Sequence, residues 1–129
     1  MNAIVEFPAL ASLDRMKQFD LEYDPELRTL FSWMKPEPRP CFNKEFLEDV
    51  RKFESTLETH QGWIGYRGQP HRVDYAVFGS RVEGIFSLGG DLSMFIQSIM
   101  RRDHATLEYY ANLCVDNMHR RISGFGADI

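Results

Sequence analysis

The chain has 129 residues, with 15 basic against 19 acidic side chains and a formal net charge of −4. That length suits one domain with a modest core, and without a polybasic field neither nucleic acid nor an anionic membrane is the expected partner. Cys41 and Cys114 are too few for a disulfide framework or a zinc knuckle, and the apolar runs fall short of the ~20 residues of a membrane helix. With no basic stretch leading into an apolar one at Met1–Glu6, the expected location is cytoplasmic.

Residues 1–26 mix Pro8, Asp14, Asp20, Asp24 and Pro25 with scattered hydrophobes and read as an N-terminal arm carrying one short helix near Ser12–Phe19. The remaining 27–129 form the folded domain. Leu27–Met34 has the β-branched and aromatic content of a strand. Lys35–Pro40, with three prolines, then interrupts regular structure as a connector between elements. From Asn43, a good N-cap type, Phe46, Val50, Phe53 and Leu57 recur at helical spacing. His60–His71 carries three glycines and a proline among aromatics and reads as an irregular loop, while Val73–Ser80 reads as a buried strand.

Two helices follow. The first covers Leu92–Arg101, with Leu92, Phe95, Ile96 and Ile99 inward. The second covers Asp103–Ile122, with Leu107, Tyr110, Ala111, Cys114, Met118 and Ile122 on one face. The order strand, helix, strand, helix, helix is that of an α/β fold.

Between strand and helix lies Gly84-Ile85-Phe86-Ser87-Leu88-Gly89-Gly90-Asp91-Leu92. A glycine pair lets a ligand approach the main chain without meeting a Cβ. The first N–H groups of a helix lack intrahelical partners and sit at the positive end of its dipole, which suits an oxyanion. The plainer reading is a tight strand-to-helix turn. Gly-Gly-Asp is not a phosphate loop, since the lysine and hydroxyl of that motif are absent. The four histidines show no zinc-ligand spacing, so no metal site is expected, and no serine sits in a Gly-x-Ser-x-Gly elbow.

The flanks, Tyr75–Ser80 followed by Gly84–Leu92, resemble the enoyl-CoA hydratase/isomerase (crotonase) superfamily, whose pattern is a strand, a Ser, a short Gly turn, Phe, a Gly-x-Asp-Leu turn and a helix. Within it, Arg39-Pro40-Cys41-Phe42, Phe86–Leu92 and Tyr110-Ala111-Asn112-Leu113-Cys114 are most similar to the synthases of diffusible cis-2-unsaturated fatty acid signals used in quorum sensing. The resemblance spans roughly Leu27–Ile129. It implies the N-terminal part of a spiral of ββα turns and an enzyme of fatty acid metabolism, a lyase-like hydratase, dehydratase or thioesterase.

The substrate so implied is a thioester of coenzyme A or acyl carrier protein, with no separate cofactor. Gly90 matches the first oxyanion-hole N–H donor. Gly89 allows close approach, Asp91 and Leu92 open the helix behind it, and Ser87 and Leu88 match the segment along which the thioester arm lies. The second donor and the acid/base carboxylates of the family lie beyond Ile129, so the isolated chain is expected to be inactive. The alternatives are a non-catalytic crotonase-like subunit that binds a partner or acyl carrier, and an unrelated small α/β domain. The resemblance and the uncovered faces it implies also point to a homo-oligomer, or to a complex with a chain supplying the rest of the fold.

Overall fold

The computed structural model describes residues 7–129 and is a mixed α/β structure. In chain order it comprises α1 (Leu10–Leu13), β1 (Phe19–Asp24), β2 (Thr29–Met34), α2 (Lys44–Thr59), β3 (Trp63–Tyr66), β4 (Gln69–Arg72), β5 (Tyr75–Ser80), α3 (Leu92–Met100) and α4 (His104–Ile122), then a 3₁₀ turn at Gly124–Gly126. No helix among the described residues is long and apolar enough to cross a membrane.

The main sheet has strand order β1-β2-β5. β1 and β2 form an antiparallel hairpin, closed where Asp24 Oδ1 accepts the N–H groups of Glu26 at 2.9 Å and Leu27 at 3.1 Å. An Asp that bonds the backbone two and three residues on replaces the missing ladder bonds of a turn. β2 then pairs in parallel with β5, Leu30 opposite Ala76 and Ser32 opposite Phe78. A parallel pair needs a crossover, which α2 and the β3–β4 hairpin supply.

One face of the sheet carries Phe19, Leu21, Tyr23, Leu30 and Met34, all buried beneath α2 residues Phe46, Val50, Phe53 and Leu57. Phe19 meets Phe46 and Phe53 edge-on, at centroid separations of 6.3 and 5.6 Å. α2 starts where the periodicity predicts, with Asn43 Oδ1 accepting the Phe46 N–H at 2.8 Å. α4 packs against α2 through Leu113 and Asn117.

Several expectations change. The helix near Ser12–Phe19 is only the single turn of α1, because Phe19 already belongs to β1. The 26/27 division falls inside the β1–β2 turn, so residues 19–24 supply an edge of the sheet; residues 1–6 of the arm lie outside the described residues. The His60–His71 stretch folds as the β3–β4 hairpin, since Arg67 and Gly68 at φ +50° and +77° make a two-residue turn of the hand that suits paired strands. β5, expected to be buried, is an edge strand with Tyr75 66% exposed.

The helix faces also differ. On α3, Leu92, Ile96 and Ile99 point to solvent and Ser98 is the buried residue, with Phe95 half-buried. On α4, Ala111, Met118 and Ile122 are exposed, while Tyr110, Leu113 and Asn117 face inward. Docking against α2 selects which face of α4 is covered, and a hydrogen bond from Asn117 Nδ2 to Leu47 O at 3.1 Å holds a polar residue there.

Candidate functional site

The Gly89–Gly90 turn sits beside the segment that leaves the proline connector. Leu88 N–H donates to Pro40 O at 2.8 Å and Phe42 N–H donates to Gly89 O at 2.7 Å, so that Phe42 and Gly90 form a parallel bridge. Two of the three stretches that carry the resemblance are therefore hydrogen-bonded to each other. The third joins them through Tyr110, whose hydroxyl donates to Phe42 O and accepts the Asp91 N–H at 3.3 Å.

The two glycines serve different needs. Gly89 adopts φ +88°, where a side chain strains the backbone although open space surrounds the position. At Gly90 a Cβ would stand 3.0 Å from the Phe95 ring, so the restriction is packing. Phe95 in turn meets Tyr110 edge-on at 5.1 Å.

Along this turn nearly every amide is engaged. Leu88 N–H is held by Pro40, Gly89 N–H donates to Ser87 Oγ at 3.0 Å and Asp91 N–H to Tyr110. Gly90 N–H has no partner among the described residues. It lies immediately before α3, which Asp91 caps by accepting the Met94 N–H at 3.3 Å. The Asp91 carboxylate also faces Arg39 at 3.7 Å, and Arg39 donates to Ser93 Oγ at 2.7 Å. Leu88 and Leu92 place their side chains in solvent.

Burial pushes the Tyr110 phenol up to about 12, so it stays protonated and can donate to Phe42 O while accepting from Asp91. The Cys41 thiol is pushed up by burial and by the Asp91 charge, which keeps it in the weakly nucleophilic thiol form. Cys114 is raised by burial as well. Among the described residues no group of three or more His, Cys, Asp or Glu side chains could hold a metal ion.

One helix carboxylate lies away from solvent. Glu54 is fully buried, and burial pushes it up to about 7 against the opposing charge of Arg121. Arg121 Nε stands 2.6 Å from Glu54 Oε1 as a close ion pair, and its guanidinium lies 3.8 Å over the Phe78 ring. The signal was present: Glu54 falls four residues after Val50 and three before Leu57, on the apolar stripe. The Tyr110 and Asn117 roles had no such signal, because they depend on which strand and helix come alongside. The chain matches no family profile and no characterised protein in the comparisons made with them.

Proposed function

We propose that the chain is the N-terminal portion of a crotonase-type enzyme acting on acyl thioesters of coenzyme A or acyl carrier protein, nearest in kind to the cis-2-enoyl signal synthases. The reading rests on the Gly90 N–H, which has no partner among the described residues, is flanked by engaged amides and lies just before the N-cap of α3. A thioester carbonyl that becomes enolate-like or tetrahedral gathers negative charge on oxygen. A preorganised donor at that point is worth about 3–4 kcal/mol, and a helix N-terminus behind it adds up to ~2 kcal/mol. The ladder to Phe42 and the Tyr110 hydroxyl hold that donor in place before substrate arrives.

Proton transfer needs a carboxylate within reach of the substrate carbons. Asp91, beside the turn, is committed to the α3 cap and to Arg39. In this reading the acid/base groups and the second donor come from a further ββα turn, and the 129-residue chain alone shows no hydratase, isomerase or thioesterase turnover. Turnover by the purified chain, abolished by Gly90→Pro, would overturn that part.

The direct test is nitrogen–proton NMR of the chain titrated with a non-hydrolysable medium-chain acyl-CoA thioether. The Gly90 amide is expected to move downfield and Gly90→Pro to weaken binding. A Gly90 amide that stays still while other amides shift removes the assignment.

The second reading, a non-catalytic subunit that docks on a partner or an acyl carrier, is favoured by the open edge of β5 and by the solvent-facing apolar side chains of α3 and α4. It predicts a stable complex in which Gly90→Pro is silent.

A further inference from the structure

Between α2, α4 and the end of β5 lies a cavity of about 360 Å³ that opens to solvent. Its walls include Phe42, Phe46, Phe78 and Met118, and Asn117 and Arg121 also line it. Asn117 is only 5% exposed. Its Nδ2 is committed to Leu47 O at 3.1 Å, which orients the amide and leaves Oδ1 as the acceptor. Oδ1 finds no donor among the described residues. A buried acceptor left without a partner is costly, so it marks a place where a ligand donor gains more than a surface contact would give.

At about pH 8, where Glu54 is ionised, the charge at this end of the cavity is balanced. Arg121, with its side chain 30% exposed, faces Glu54 and stacks on Phe78, and its terminal N–H groups make no hydrogen bond among the described residues. A carboxylate placed here would meet the Glu54 charge and bring no proton to Asn117 Oδ1. A hydroxyl suits both groups, donating to Asn117 Oδ1 and accepting from Arg121. At about 30 Å³ for each water-sized group, the space accepts on the order of ten heavy atoms.

We infer that this cavity binds a medium-length, uncharged aliphatic chain bearing a hydroxyl at its buried end, with Asn117 and Arg121 as the polar contacts. The inference is independent of the role given to Gly90.

The test is calorimetric and NMR titration of the chain with 1-octanol and with octanoate at about pH 8, where the octanoate is ionised. Octanol is expected to bind at least about tenfold more tightly and to shift the Asn117 side-chain amide resonances. Asn117→Leu should weaken octanol by about tenfold, the worth of one net hydrogen bond, and leave octanoate unchanged. Met118→Trp, at the exposed mouth, should block both probes without disturbing the core. Equal affinity for the two probes, an unmoved Asn117 amide, or octanol binding that survives Met118→Trp would each overturn the assignment.

Discussion

The hydroxyl of Tyr110, on α4, accepts the N–H of Asp91, the N-cap of α3, at 3.3 Å. The same oxygen donates to Phe42 O, so one side chain ties the Gly89–Gly90 turn to its neighbouring segment and to the longest helix. Tyr110→Phe keeps the ring that meets Phe95 but strands one donor and one acceptor. We expect it to lower stability by about 1–3 kcal/mol, read from urea unfolding, with Tyr110→Leu worse because the ring contact goes too. Wild-type stability in Tyr110→Phe would show that water replaces the hydroxyl at no cost.

Glu54 makes stability depend on pH. Its carboxyl holds a proton up to about pH 7 in the folded chain but only to the ordinary 4.5 when unfolded. Between these values the native state binds more protons, so stability falls as pH rises from about 5 to 8. At about 1.4 kcal/mol for each pH unit between them, the loss approaches about 3 kcal/mol, with the attraction of Arg121 already included. Urea midpoints at the two pH values should therefore differ, and Glu54→Gln should flatten the difference. A midpoint that rises with pH in the wild type but not in the variant would reverse the sign of the argument.

The two glycines should respond differently to alanine. Gly89→Ala meets no neighbour, so its cost is the backbone term alone, about 1–2 kcal/mol for a left-handed residue, and no other substitution should relieve it. Gly90→Ala pushes on the Phe95 ring, and Phe95→Leu should restore part of what it loses. A double-mutant cycle with additive losses would mean that the ring moves aside freely.

Association follows from the uncovered faces. Ile99 is 64% and Ile122 79% exposed, and among the described residues one edge of β5 has no ladder partner. Sedimentation at micromolar concentration should show self-association, weakened by Ile99→Glu or by Val77→Lys on β5. A clean 15.1 kDa monomer would favour the independent small domain.

Much of the helical content was legible because it follows from local chemistry. Asn43 caps α2 and Asp91 and Asp103 cap α3 and α4, each accepting the N–H three residues on. Phe46, Val50, Phe53 and Leu57 repeat on one stripe, which a helix buries wherever the rest of the chain lies. The β3–β4 hairpin was hidden because glycines and a proline mark turns and loops alike. Only the pairing of Trp63 with Arg72 and of Ile64 with His71 distinguishes them.

By itself the sequence determined where α2, α3 and α4 start, which face of α2 is buried, and that a flexible glycine pair precedes α3. These are properties of residues within one or two turns of each other. Tertiary structure alone decided that β5 is an exposed edge, that Leu92, Ile96 and Ile99 face water, and that Tyr110 engages Asp91 and Phe42. It also left Gly90 N–H without a partner among the described residues while its neighbours found acceptors. An apolar stripe states only that a surface favours cover, and an amide only that it requires an acceptor. Which partner arrives depends on contacts between segments as far apart as Phe42 and Tyr110, and local propensity carries no information about those.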